Sequence, residues 1–194
     1  MHKAFDTVNH KILLAKLQYY GIAGTPITLI ESYLENRHQK VIITNNQNTT
    51  ASSYWKQIKC GVPQGSILGS LLFLIYVNDL AHIICRHANP ILFAGDTSVI
   101  ITSSDKLEFK RVLSCVLVVW CKKNYLTLNL NKTQFIQFYT NHHKNLDIRV
   151  EIADTVIPTN NNVKFLGLIL ENGLSWKTYN SEFTIKLNKA CYAI

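Results

Sequence analysis

Apolar residues recur every three or four positions over residues 8–20, and Gly21 follows them directly. This spacing predicts an amphipathic helix that ends at the glycine, because glycine readily adopts the left-handed conformation that closes a helix. A second helix is expected after a short gap. Thr25 is predicted to cap it, Pro26 to occupy its first position, and its apolar face extends to about Arg37.

Two short runs rich in β-branched and aromatic residues come next, at residues 40–44 and 54–60. The stretch 45–53 between them is rich in Asn, Thr and Ser, which is typical of turns. Together the three segments predict a β-hairpin.

The most apolar run, residues 67–77, is well short of the ~20 residues needed to cross a bilayer, so it predicts a buried helix and no membrane association. Ser66 is expected to cap this helix, which extends to about Ile84. Gly69 and Ser70 are small enough to let another backbone approach it closely.

Two further β-rich runs, residues 91–94 and 97–102, flank Gly95 and Asp96. A two-residue Gly-Asp connection is typical of a tight type II′ hairpin. Helical spacing returns over residues 105–123. Short strands are then predicted at residues 134–139, 148–152 and 163–170.

Helices that alternate with hairpins predict an α+β fold, with helices packed on one face of a mainly antiparallel sheet. No repeat, low-complexity tract or linker divides the sequence, so one domain over residues 1–194 is expected.

Composition narrows the function. The chain carries 20 Lys+Arg against 12 Asp+Glu, a formal net charge of +8, which suits phosphate-bearing partners. Its 47% hydrophobic residues exclude intrinsic disorder. The five cysteines include no C-x-x-C pair and the N-terminus has no apolar signal-peptide core, so an intracellular protein of the nucleus or cytoplasm is expected, not a secreted one.

Candidate chemistry lies at two places. Asp96 would present a carboxylate at the tip of a hairpin, where it can hold a divalent cation against a phosphate, although an Asp in a turn is more often only a turn residue. Residues 61–66 form a glycine-bracketed loop that delivers Gln64 to the start of a buried helix. Loops of either kind are common on their own. The two together at this spacing, preceded by the segment 3–10, are not.

The blocks KAFDTVNHKILLAKL (3–17), GVPQGSILGSLLFLIYVNDL (61–80) and FAGDTSVI (93–100) occur in this order, followed by NYLTLN (124–129), NKT (131–133) and KFLG (164–167). With this series the sequence resembles the palm of a reverse transcriptase from a non-LTR retrotransposon of the LINE or jockey type. The resemblance covers nearly the whole chain. It implies a right-hand polymerase palm, RNA-directed DNA polymerase activity by ancestry, an RNA template, a DNA primer and deoxynucleotide triphosphates as partners, and Mg²⁺ as cofactor.

The resemblance assigns roles at the nucleotide. Phe5 matches the aromatic that stacks under the sugar of the incoming nucleotide and blocks a 2′-hydroxyl. Gln64 and Gly65 match the loop that contacts the nucleotide and the template. Lys132 matches a lysine near the triphosphate, with a solvated surface lysine as the alternative.

A second group of matches concerns the primer. Phe165, Leu166 and Gly167 fall where the family holds the primer 3′ end with a glycine hairpin. The alternative is an ordinary strand end.

Departures from the family pattern concern the metal. The resemblance implies three aspartates that hold two Mg²⁺. The family pair F-A-D-D reads Phe93 to Asp96 here with Gly95 in place of the first aspartate. The third aspartate, five residues before the match to Phe5, would fall directly before Met1. Mg²⁺ binding is therefore expected to be weak and catalysis to fall by roughly 10³-fold or more.

The sequence thus predicts a truncated, degenerate reverse transcriptase palm without upstream fingers or a downstream thumb. Little or no polymerase activity is expected of it. Two alternatives remain open. One is a noncatalytic RNA- or DNA-binding module that uses the basic charge alone. The other is an expressed fragment with no function.

Overall fold

The computed structural model describes residues 1, 3–46, 48–85, 88–93, 95–102, 109, 112, 117–139, 148–152 and 155–192. These residues form two compact units, Met1–Leu128 and Asn129–Ile194. The assignment of residues 1–194 to one domain stays a prediction.

The first long element, helix α1 (His10–Tyr19), confirms the predicted helix to within two residues. The side chain of Asn9 caps it by accepting a hydrogen bond from a main-chain amide of the first turn. At its end Gly21 has a φ of 89°, and the amide of Ile22 reaches back to the carbonyl of Leu17 at 3.0 Å. This closure is a Schellman motif, and it confirms the prediction that the helix ends at Gly21.

Helix α2 (Thr25–Leu34) differs from its prediction at both ends. Gly24, with a φ of 67°, is the N-cap and no side chain caps the helix, so the assignment of Thr25 as the cap was wrong. The flexible glycine makes the turn and lets Thr25 enter the helix. The helix ends before the predicted Arg37 because Asn36 adopts a left-handed φ of 51°.

The predicted hairpin is confirmed and is longer than expected. Its strands are β1 (His38–Gln39), β2 (Ile42–Thr44), β3 (Thr50–Ser52) and β4 (Lys56–Gln57), with β1 antiparallel to β4 and β2 antiparallel to β3. Strand β3 lies inside the stretch predicted as a turn, because polar residues form this exposed ribbon without the alternation of a half-buried strand.

Helix α3 (Ile67–Ile84) is the central element of the first unit. The Oγ of Ser66 accepts a hydrogen bond from the amide of Gly69 at 2.9 Å, which confirms the predicted cap. A Cβ at Gly69 would lie 2.3 Å from the carbonyl oxygen of Pro63, so only glycine allows this approach. The core around this helix contains Leu13, Leu17, Leu34, Leu72, Phe73, Tyr76, Leu80 and Ile84.

By length and composition alone, α3 is long and apolar enough to cross a membrane. One helix of this kind is a weak indication, because the core helix of a soluble protein has the same composition. Seven residues of α3 are buried in the core.

A half-buried ion pair joins α1 to α3. The Nζ of Lys16 lies 2.7 Å from the Oδ1 of Asp79 and donates a second hydrogen bond to the carbonyl oxygen of Tyr76 at 2.6 Å. Burial lowers the pKa of Lys16, and the hydrogen bond and charge of Asp79 oppose that shift. Asp79 therefore links the two helices through a charged hydrogen bond.

The second hairpin is confirmed with its turn moved by one residue. Strands β5 (Asn89–Phe93) and β6 (Asp96–Ile100) are antiparallel and Phe93 pairs with Asp96, so Asp96 begins a strand and the connection precedes it. Gly95 does not have the positive φ that a type II′ turn requires of glycine. Residue 94 lies outside the described residues.

Part of the predicted helix 105–123 is described, as α4 (Val119–Lys123). Most of residues 103–116 lie outside the described part of the chain. Trp120 and Cys121 of α4 are buried, and burial raises the pKa of the Cys121 thiol to about 11.

The second unit consists of strand pairs and one helix. Its elements are β7 (Phe135–Ile136), β8 (Val150–Ile152), β9 (Thr155–Ile157), β10 (Thr159–Asn160), β11 (Asn162–Phe165), β12 (Leu168–Glu171) and α5 (Lys177–Cys191). The segment 163–170, predicted as a strand, is a hairpin of β11 and β12.

The fold class is α+β. Among the described residues the strands form six two-stranded pairings, five antiparallel and one parallel (β7 with β10), and not the single sheet that was predicted. Short strands interrupted by turns and bulges leave few ladder bonds to join one pair to the next.

Candidate functional site

The aromatic ring of Phe5 is held firmly against helix α3. Phe5 lies in a short 3₁₀ turn, Ala4–Thr7, and its ring stacks on that of Phe73 with centroids 4.5 Å apart. A ring fixed in this way has the rigidity that a steric role requires, and it is also part of the apolar core.

Main-chain bonds fasten the loop 61–65 to the N-terminal segment. The amide of Val62 donates to the carbonyl oxygen of Phe5 and that of Gly61 to Val8, both at 2.8 Å. The Nε2 of His10 lies 2.8 Å from the carbonyl oxygen of Gly61, which can only accept, so Nε2 is the donor. The two motifs thus form one structural unit.

Gly61 is required by this contact. Its φ is 91°, and a Cβ there would lie 2.9 Å from both the Cα and the carbonyl oxygen of Asp6. Side chains rarely adopt such a φ, and the neighbouring atoms belong to the backbone and cannot move aside cheaply.

The amide of Gln64 is oriented by Asp6. Its Nε2 donates to the Oδ1 of Asp6 at 2.9 Å, and the thiol of Cys60 donates to the carbonyl oxygen of Asp6 at 3.3 Å. Both Gln64 and Asp6 are exposed. Gly65 follows with a φ of 82° and open space around its Cα, so its backbone is accessible.

The N-terminal segment also contacts the second hairpin. The main-chain nitrogen of Met1 lies 3.4 Å from the carbonyl oxygen of Gly95. Phe5 is four positions after Met1, and an extended chain covers at most about 14 Å in four residue steps. The segment that carries Phe5 and Asp6 therefore passes both the hairpin tip and the loop with Gln64.

The described donors do not fit a pair of Mg²⁺ ions. No group of three or more His, Cys, Asp or Glu side chains converges anywhere in the described part of the chain. Asp96 is exposed beside a glycine, and the carboxylate of Asp6 already accepts the amide of Gln64. Two divalent cations need several oxygen ligands that this set lacks.

The other predicted site residues lie in the second unit. Lys132 is exposed in a 3₁₀ turn, Leu130–Lys132. Phe165 ends strand β11, and Leu166 and Gly167 form the two-residue turn with φ values of 46° and 89°. Positive φ at both positions is typical of a tight type I′ hairpin turn. The glycine hairpin is thus present; the roles of these residues stay predictions.

Sequence reasoning missed the roles of Asp6 and His10. It assigned neither residue to the site, whereas the carboxylate and main chain of Asp6 and the ring of His10 contact the loop. The short sequence distance between Asp6 and His10 was the available indication, but it has meaning only once the loop is known to lie beside them.

Comparison with known proteins shows which family the chain belongs to. The profile of the family "Reverse transcriptase (RNA-dependent DNA polymerase)" matches residues 1–170, so the chain belongs to this family of nucleic-acid polymerases. It is similar to the probable RNA-directed DNA polymerase from transposon BS of Drosophila melanogaster, at 28% identity over 91% of this chain. It is also similar to that from transposon X-element of the same species (25%, 96% of this chain) and to that from mobile element jockey of Drosophila funebris (26%, 92%).

These matches confirm the resemblance to reverse transcriptases of non-LTR mobile elements. The chain spans 20% of the length of each of these relatives.

Proposed function

We propose that this chain is a mobile-element reverse transcriptase domain whose nucleotide-adding chemistry is severely impaired. The observation that carries the proposal is Gly95, which occupies the position where the family has the first aspartate of its pair. Asp96 alone contributes one carboxylate there. Losing metal-held charge stabilisation costs several kcal/mol, which corresponds to roughly 10³-fold or more in rate.

The backbone at Gly95 gives no reason for a glycine. Its φ lies outside the left-handed region, and a Cβ would meet nothing within 4 Å. A side chain can therefore begin at this position without strain, and we expect the hairpin to accommodate an aspartate there.

The contact of Met1 with Gly95 concerns a second aspartate position of the family. The family places another aspartate directly before the position of Met1. Because the Met1 nitrogen lies beside the Gly95 carbonyl, that position adjoins the hairpin. Two carboxylate positions of the family would thus converge at one place.

Mn²⁺ binding and primer extension test the proposal. We expect the chain to extend an RNA-templated DNA primer at background level, with Asp96→Ala indistinguishable from it. We expect Gly95→Asp to tighten Mn²⁺ binding measured by electron paramagnetic resonance, and Asp96→Ala in that background to remove the gain. Gly173→Asp is the matched control, because Gly173 is equally open and also lacks a positive φ. Template-dependent incorporation that Asp96→Ala abolishes would refute the impairment.

The second candidate is a noncatalytic nucleic-acid-binding module. The net charge of +8 favours it, because binding to phosphates requires no metal. It predicts RNA or DNA binding that persists in EDTA and weakens steeply with salt. If the chain neither extends primers nor binds nucleic acid at low salt, both candidates fail and an inert fragment is the remaining account.

A further inference from the structure

The first hairpin, residues 37–59, is here called the basic hairpin. Its charged residues are Arg37, Lys40, Lys56 and Lys59, and no Asp or Glu occurs between Glu35 and Asp79. All residues of its four strands are exposed. The hairpin therefore carries positive charge without any acidic side chain of its own.

The returning strand of the basic hairpin contains a β-bulge. Gln39 pairs with Lys56 and Ile42 pairs with Ser52. Two residues separate these pairs on the first strand and three on the returning strand, so the returning strand carries one extra residue. A β-bulge of this kind redirects the side chains beside it.

The bulged segment contains Tyr54 and Trp55, which are 97% and 65% exposed. The Nζ of Lys40 lies 5.2 Å from the centroid of the Trp55 ring. Aromatic rings contribute most when they are stacked or buried, so these two exposed rings are available for a partner.

We propose that the basic hairpin binds single-stranded nucleic acid. Unpaired bases stack on Tyr54 and Trp55, and Lys40 and Lys56 contact the phosphates. Single strands are favoured over duplexes because a base must be unstacked from its neighbours to lie on an aromatic ring. A protein partner fits less well, because protein interfaces are depleted in lysine.

The proposal rests on the proposed function for its class of partner, and it is independent of the metal site. Every measurement below is therefore made in EDTA with the full chain. Binding to a labelled oligouridine of about 12 nucleotides is followed by fluorescence anisotropy, and binding to its duplex with oligoadenosine is measured in parallel.

The stacking step is tested with Tyr54→Ala and Trp55→Ala. We expect each to weaken oligouridine binding about fivefold or more, and Trp55→Phe to retain most of the affinity. Tyr192→Ala is the matched control, since Tyr192 is 94% exposed in the other unit. It should leave affinity unchanged. Far-UV circular dichroism and thermal unfolding verify that the variants remain folded, which is expected because the substituted side chains are exposed.

The phosphate contacts are tested by salt dependence. Replacing Lys40 and Lys56 by Gln should reduce the slope of log affinity against log salt by about 0.7 per lysine. Lys186→Gln with Lys189→Gln, two exposed lysines of α5, should leave the slope nearly unchanged.

The outcomes separate the two proposals. Loss of affinity in the hairpin variants alone supports the basic hairpin as the binding surface. Equal losses in the hairpin and control variants would show generic charge binding and overturn it, while nucleic-acid binding by the chain would stand. Tighter binding of the duplex than of the single strand, or a change only in self-association of the hairpin variants, would also overturn it. Absence of all binding would refute the hairpin proposal and the binding-module candidate together.

Discussion

The side-chain amide of Gln64 donates a hydrogen bond to the carboxylate of Asp6 at 2.9 Å, across 58 positions of sequence. An ionised carboxylate only accepts hydrogen bonds, so the NH₂ group of Gln64 faces Asp6 and its oxygen points elsewhere. Asp6 thereby orients the amide that the family resemblance assigns to the nucleotide.

Removing this carboxylate should release Gln64. In Asp6→Ala we expect the side-chain NH₂ resonances of Gln64 to show increased mobility by NMR relaxation. Stability should change by no more than about 0.5 kcal/mol, because both side chains are exposed. Asp6→Asn retains an acceptor oxygen and should keep Gln64 ordered. A Gln64 side chain equally mobile in the wild type would show that the bond does not persist in solution.

Gly61 should tolerate no side chain. Gly61→Ala places a Cβ against the Asp6 backbone at a φ of 91°, so we expect a loss of about 2 kcal/mol or more in urea unfolding. Gly95→Ala, at an open position with an ordinary φ, is the control and should change stability by about 0.5 kcal/mol at most. Equal effects at the two glycines would contradict the close contact between the loop and Asp6.

The Lys16 pair should make stability depend on alkaline pH. Burial lowers the pKa of Lys16 below 10.5 in the folded chain, so the unfolded chain binds the proton more tightly. The buried ammonium group therefore lowers the free energy of unfolding at neutral pH, and this cost disappears as the pH rises toward 10.5. Burial also raises the pKa of Tyr76 above 10.0, so the tyrosine lowers stability as the pH rises beyond 10.0. The difference between wild type and Lys16→Met in urea unfolding isolates the lysine.

Asp79 provides a second test of the same pair. In Asp79→Asn the ammonium group loses its counter-charge, so the pKa of Lys16 should fall further and the alkaline recovery should steepen. We expect a loss of about 1 kcal/mol at neutral pH, a modest value because the Asp79 side chain is 34% exposed. A variant as stable as wild type, with an unchanged pH profile, would exclude a contribution from the pair.

Glu171 should make the start of helix α5 sensitive to acid. It accepts hydrogen bonds from the hydroxyls of Ser175 and Thr178 and from the amides of Lys177 and Thr178, at 3.1 and 3.3 Å for the amides. These bonds, that from Ser175 first, lower its pKa below 4.5. The stabilisation is present above pH 4.5 and is lost as the pH falls through the lowered value.

Far-UV circular dichroism of wild type and Glu171→Gln checks this expectation. The variant should show lower helicity or thermal stability at neutral pH, and the difference should vanish in acid. A difference that persists unchanged at low pH would show that the charge of Glu171 does not cap the helix.

Helices α1 and α3 could be predicted because their information is local. The periodic apolar residues, Ser66 as a cap and Gly21 as a stop act within one or two turns of the helix they define. The ends of α2 could not be predicted as well, since Gly24 and Asn36 use left-handed conformations that the sequence permits without requiring.

The strands that the structure describes form separate pairs and not the predicted sheet, because strand pairing depends on which segments meet. The same is true of the turn at Gly95, where one residue of register separates a turn residue from the first residue of a strand. Both errors concern contacts between segments and not the type of segment.

The sequence by itself determined the family, helices α1 and α3 and the substitution of glycine for aspartate at position 95, because residue identity at ordered motifs carries that information, but it did not predict helix α5. Only the tertiary structure decided that Asp6 and His10 fasten the Gln64 loop, that a Cβ at position 95 meets no neighbouring atom, and that the Trp55 ring lies beside Lys40. Each of these depends on distances between residues far apart in the chain, and chain folding alone sets those distances.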